Sequence, residues 1–173
     1  MTSVFLDKKW TILLIVSIIG IILPIANDFV YRKTKELTFC IISNVLVADI
    51  NELQYNDIEI LHLGKPLKKL SVISIGIINS GKIPIVKGDF ETPLKIVLEG
   101  QAIPIKVKVA DSKPNDLNPS LILKNNEITI QPTLWNIKDY AVIEALVTGE
   151  LSGIHLTGRV NGVKELTLQG STM

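Results

Sequence analysis

Cysteine is almost absent from this chain of 173 residues: Cys40 stands alone. No internal disulfide can form, so any core must hold by apolar burial, which the 137 residues after Glu36 are numerous enough to provide. A clear excess of either charge sign is also missing, with 18 Lys and Arg against 17 Asp and Glu. Setting aside the five cations and three anions before Leu37 leaves 13 against 14, and Arg159 is the single arginine of that part. Nucleic-acid surfaces cluster Lys and Arg on one face, so no nucleic-acid polymer is expected as a partner. No Asn-x-Ser/Thr glycosylation sequon occurs, and neither does a Gly-x-Ser-x-Gly elbow, a phosphate-cradling Gly-Lys-Ser/Thr loop or a dinucleotide fingerprint. The two histidines, His62 and His155, are far apart in sequence and have no ligand pattern beside them. The expectation is a protein that is not an enzyme and carries neither metal nor cofactor.

What the chain does have is TILLIVSIIGIILPIAND, residues 11–28. Between Lys9 and Asp28 no residue is charged, and eleven of the residues Thr11 to Ala26 are Ile, Leu or Val. As a helix that span covers roughly 27 Å, close to the hydrocarbon thickness of a bilayer. A core helix would show a polar face, and none is visible. A cleaved signal would carry a shorter apolar run and a small residue where Pro24 stands. The segment is therefore expected to be an uncleaved anchor running through Trp10, Ile12, Leu14, Ile18, Gly20, Ile22 and Pro24, with Trp10, Phe29 and Tyr31 as interfacial belts. Lys8 and Lys9 precede the run, and Arg32, Lys33 and Lys35 follow it, which favours a cytoplasmic C-terminal side.

Residues 1–36 are thus expected to be anchor and basic linker, and 37–173 an all-β domain. After Glu36 short β-branched runs alternate with turn residues, the pattern of an antiparallel β-sandwich, Ig-like or similar, with about nine strands. LSVISIGIIN is apolar on both faces around Ile73, Ile75 and Ile77 and reads as a central strand. IPIKVKVA alternates, and Pro104 assigns it to an edge or a strand start. LILK-NN-EITI and IHLTGRV-NG-VKELTL read as hairpins turning at Asn125-Asn126 and Asn161-Gly162. IEILHL reads as a strand of the sandwich, and so does DYAVIEALVT, despite its helix-compatible Ala, Glu and Leu.

Three phrases, IINSGKIPIVKGDFETPL (77–94), IQPTLWNIKDYAVIEALVTG (130–149) and IHLTGRVNGVKEL (154–166), together resemble a group of bacterial proteins. Members of that group carry one N-terminal membrane helix and a compact all-β domain. The matching elements are Asn79-x-Gly81-x-x-Pro84-Ile85, Asp89-Phe90-Glu91-x-Pro93-Leu94 and Gly158-Arg159-x-x-Gly162-Val163. Where the group carries Leu-Asn-Pro-Gly-Asp, this chain has Trp135-Asn136-Ile137-Lys138-Asp139. The resemblance implies bacterial origin and this architecture, and no activity.

Asp89, Phe90, Glu91, Trp135 and Arg159 are the candidate contacts with a ligand or partner, Arg159 because its guanidinium fork could grip an anion or carboxylate. The Asp111–Asn118 loop is rich in oxygen ligands but lacks the ordered calcium-loop spacing, and reads as a solvated turn. The leading expectation is a non-enzymatic β-sandwich tethered at the bacterial inner membrane and binding a protein partner. One alternative is an effector that senses a small ligand and forms homo-oligomers. The other is an outward-facing module of envelope assembly or adhesion.

Overall fold

The computed structural model describes residues 13, 15–23, 33–49, 59–164 and 166–169. Trp10, Ile12, Leu14 and Pro24 of the expected anchor, together with Phe29, Tyr31 and Arg32, lie outside the described residues. Residues 15–23, with Ile18, Gly20 and Ile22 among them, form one short helix in which Ser17 Oγ donates to the Leu13 carbonyl at 2.8 Å. Among the described residues no helix is long and apolar enough to cross a membrane. The chain forms two compact units, Met1–Lys33 and Thr34–Met173.

The second unit is mostly β. Its larger sheet has the order β11 (Leu166–Gln169), β1 (Leu37–Asp49), β4 (Lys69–Asn79), β9 (Tyr140–Thr148), β6 (Ile103–Lys113). Four of these strands pair antiparallel, while β11 runs parallel to the start of β1. The smaller sheet is antiparallel, in the order β10 (Leu151–Val160), β5 (Phe90–Gly100), β8 (Glu127–Ile130), β7 (Leu121–Lys124). A separate ribbon joins β2 (Ile60–His62) to β3 (Lys65–Leu67). The two sheets enclose one core. Ile73, Ile75 and Ile77 of β4 and Ile143 and Val147 of β9 share it with Leu94, Ile96 and Leu98 of β5 and Ile128 and Ile130 of β8. Each fully buried aliphatic side chain contributes about 1.5–3 kcal/mol relative to exposure. Every residue of this cluster lies between Leu37 and Leu166, so the second unit supplies its own core.

The period-2 signal places most strands as expected. β4 is central, flanked by β1 and β9, and β9 buries Ala141, Ile143, Ala145 and Val147 in strict alternation. β6 is an edge strand of its sheet. The alternation of Ile103, Ile105, Val107 and Val109 with Pro104, Lys106 and Lys108 would bury the first set, yet at the start Ile103 is exposed and Pro104 buried. A register shift between Pro104 and Lys106 then turns Val107 and Val109 toward the core, as a bulge must when the side-chain period is two.

The two expected hairpins part company. Asn125 takes φ 54°, the positive first turn residue that primed hairpin turns require, and β7 and β8 pair across it. At Asn161-Gly162 only the glycine has positive φ (82°), and Val163 N–H donates to Val160 O at 3.1 Å. That is the pattern of a type II turn, whose twist splays the flanking strands. The chain accordingly leaves β10 in the smaller sheet and enters β11 in the larger. IEILHL is not a sandwich strand either. Leu63 and Gly64 both have positive φ and close the β2–β3 ribbon after three residues. With this ribbon, eleven strands stand among the described residues against about nine expected.

One buried side chain ties together the loops at one end of the sandwich. Asn79, 0% exposed, ends β4. Its Nδ2 reaches the carbonyls of Ile83 (3.0 Å), Trp135 (3.0 Å) and Asn136 (3.1 Å), sharing its two hydrogens among the three, and its Oδ1 accepts from Gly81 N–H at 3.0 Å. Its own backbone N–H and carbonyl bond to Asp139 O and Lys138 N, each at 3.0 Å. The Ser80 and Lys82 amides then donate to the carbonyls of Glu36 and Thr34. This approach is close enough that a Cβ on Gly81 would stand 2.6 Å from Thr34 O.

Two stability measurements follow. Asn79→Ala strands several buried backbone groups, each worth about 1–3 kcal/mol when unsatisfied. Denaturant unfolding is expected to show a loss of about 3 kcal/mol or more, and a loss below that of an ordinary surface substitution would sink the bracing role. Lys138 holds φ 67°, where Gly carries no Cβ cost. Lys138→Gly is expected to raise stability by up to about 1 kcal/mol and Lys138→Ile to lower it by a similar amount. The reverse order in their melting curves would refute this.

Candidate functional site

Parts of the three sequence phrases, the first of them dozens of residues before the other two, meet at this braced end. Ile85 and Trp135 form an isolated antiparallel bridge, with amide–carbonyl distances of 2.8 and 2.9 Å. β10 runs alongside β5, so that Arg159 lies opposite Thr92 and Val160 opposite Phe90. Asn161 N–H donates to Asp89 O at 2.7 Å. Four of the five expected contact residues, Asp89, Phe90, Glu91 and Arg159, therefore fall in one neighbourhood. Trp135 does not join them as a contact. It is 0% exposed and its ring belongs to the core, so it cannot meet a partner's surface.

Asp89 is committed to the fold. It closes a single 3₁₀ turn, Lys87–Asp89, accepting from Val86 N–H at 2.7 Å through Oδ2 and from Lys35 Nζ at 2.5 Å through Oδ1. The Lys35 ammonium, and after it the Val86 amide, hold the carboxyl below its ordinary value of 3.8. Phe90 is half-buried and packs on the core edge. Glu91 and Arg159 are the accessible members, joined by a 2.9 Å Nε–Oε2 contact in which Arg159 is 77% exposed. Such a pair contributes well under about 1 kcal/mol, so Arg159 can exchange its partner at little cost.

Beside this pair lies an open polar cavity of about 400 Å³, lined by Glu91, Arg159, Lys164 and the backbone of the Asn161-Gly162 turn. Two cations and a tight turn at its wall suit a small anion or carboxylate better than an apolar ligand. A second cavity, about 410 Å³, lies at the Asp111–Asn118 loop. There the Tyr140 hydroxyl donates to Asp111 Oδ2 at 3.1 Å, and that bond raises the phenol above its ordinary value. Among the described residues no group of three or more His, Cys, Asp or Glu side chains is placed to hold a metal. His155 contacts Glu99 at 2.9 Å on the exposed face of β10, and His62 sits in the β2–β3 ribbon. Cys40 is half-buried, and its Sγ lies 3.1 Å from where a Cβ on Gly76 would stand.

Sequence reasoning singled out Asp89, Glu91 and Arg159 but not Lys35 and Lys164. Lys35 seemed part of a basic linker, and Lys164 part of a hairpin strand. Only the close passage of residues 34–36 under the Ser80–Lys82 loop brings Lys35 to Asp89.

No protein-family model matches the chain, and no curated protein matches it. The structure supports the motif resemblance only as far as a compact, mostly-β unit and one short N-terminal helix.

A carboxyl held below its ordinary value stabilises the fold fully above that value and loses its contribution as pH falls through the folded pKa. Asp89→Asn is therefore expected to unfold more readily than the parent at neutral pH, with the gap closing below about pH 3.8. A gap that persists unchanged into acid would show that charge on Asp89 is not what matters.

Proposed function

We propose that this protein is a non-enzymatic, membrane-tethered β-sandwich that binds a protein partner at the bacterial inner membrane, with its Ig-like domain on the cytoplasmic side. One observation carries the tether. The helix at 15–23 and Leu13 before it present eight large apolar side chains, all 46–64% exposed, with no polar face. Apolar surface of that extent is stable only when covered, and a bilayer covers a helix on every side. The uncharged stretch Trp10–Asn27 supports the reading by its length, and the cations at Arg32, Lys33 and Lys35 support the orientation. The tether raises the domain's local concentration at the membrane, and a self-contained sandwich with loops clustered at one end suits a binding role.

Two tests address this reading. Alkaline carbonate is expected to leave the full chain in the membrane fraction, while Ile18→Arg with Ile22→Arg moves it to the soluble fraction, at a cost of about 2.5–3.5 kcal/mol per arginine. Extraction of the unaltered chain by carbonate would end the tether reading. C-terminal fusions to a reporter active only in the cytoplasm and to one active only outside are expected to light the first. The opposite outcome favours the envelope-assembly or adhesion module.

The cavity beside Arg159 favours a second reading, in which a small anionic signal binds there and drives homo-oligomerisation. Arg159→Ala is then expected to abolish ligand-dependent assembly.

A further inference from the structure

We propose that the loop end built on Val86, Leu134 and Ile137 is a bilayer-docking surface that seats on anionic phospholipid headgroups. The Ile85–Trp135 bridge turns both of its side chains into the core. Strand alternation then sends their neighbours, Val86 and Leu134, to the opposite side, where they are 48% and 46% exposed. Ile137, at the tip of the next turn, is 47% exposed. Three apolar tips on two pinned loops are the shape of an interfacial insertion, since a bilayer offers apolar depth without a complementary groove.

Charge selects the kind of bilayer. Lys87 follows Val86 and Lys138 follows Ile137; both are exposed, and neither forms an ion pair among the described residues. The carboxylates of the same loops do not face outward: Asp89 is paired with Lys35 and bonded to the Val86 amide, and Asp139 is buried, accepting from the Asn136 amide at 2.6 Å. The outward charge at these tips is therefore positive, complementary to lipid phosphates.

Chain connectivity supplies the remaining argument, and it rests on the tethered reading above. Thr34, the first residue of the second unit, is hydrogen-bonded into this loop end through Lys82. A domain tethered at this end brings these tips to the headgroups without turning over.

The test replaces residues 1–33 by an N-terminal hexahistidine and places the domain on nickel-chelating vesicles, which fixes it to a surface whether or not the native segment spans. The second unit supplies its own core, so it is expected to fold without residues 1–33. In a Cys40→Ser background an environment-sensitive fluorophore is attached at Ile137→Cys, or at Leu61→Cys in the ribbon as reference. Nitroxide lipids are expected to quench the Ile137 probe on phosphatidylglycerol vesicles and not on phosphatidylcholine, with the Leu61 probe unquenched on both. Lys87→Glu with Lys138→Glu is expected to reduce the docked fraction about tenfold or more. Equal quenching at the two positions, equal quenching on the two lipids, or none on phosphatidylglycerol overturns the proposal. The carbonate extraction above reads the native tether separately, so the two failures are distinguishable.

Discussion

The end of the sandwich that carries every accessible candidate contact depends on the carboxamide of Asn79. A single buried amide group meets the carbonyls of Ile83, Trp135 and Asn136 and the N–H of Gly81 at 3.0–3.1 Å. Loops between strands of opposite sheets cannot satisfy their backbone groups by sheet pairing, and burying those groups unpaired costs about 1–3 kcal/mol each. Asn is well suited to the task because it offers donors and an acceptor in one short planar group. Asp cannot donate when ionised, and Gln is a methylene too long for the Asx geometry that also reaches Gly81. Asp139 and Asp89 extend the device, each accepting a backbone amide three residues earlier in the chain, at Asn136 and Val86. The loops at this end are short, polar-pinned and backed by Trp135.

Much of the strand layout was legible, because sheets with one buried face impose a period of two on the sequence. β9 illustrates the reach of that rule. Its composition permits a helix, yet Ala141, Ile143, Ala145 and Val147 match the inward face residue by residue. The failures are also physical. Asn161-Gly162 has the composition of a hairpin turn, but composition does not fix the φ of Asn161, and that angle decides whether the strands fold back or diverge. The small side of IEILHL's misreading is Leu63, a residue with φ 50° that propensity would not place in a turn. The parallel pairing of β1 with β11 joins residues more than a hundred positions apart and leaves no local signature.

The candidate site was legible as residues but not as an assembly. Asp89, Arg159 and the glycines drew attention because their types suit turns and anion contacts. Their convergence depends on β10 lying beside β5, and on residues 34–36 passing beneath Gly81. Neither follows from spacing. Trp135 shows the opposite error, since a lone tryptophan in a loop phrase looks like an anchor for a partner. Here it is 0% exposed and fills the volume beneath the loops that Asn79 braces. The aromatic supports the surface and does not form it.

This division of labour bears on how the domain could engage a partner or a membrane. Ordering a mobile loop at an interface costs free energy at the moment of binding, about 0.5–1.5 kcal/mol for each immobilised side chain, before any contact is made. Loops already fixed by Asn79, Asp89 and Asp139 carry that cost within folding. The exposed tips of Val86, Leu134 and Ile137 then project from a rigid base, and apolar contact there is offset by less entropy. The same bracing runs through Thr34 and Glu36, where the domain joins the preceding segment. Through these bonds the first residues of the second unit are held against the Ser80–Lys82 loop. The network that closes the core therefore also fixes the N-terminal end of the second unit beside these loops.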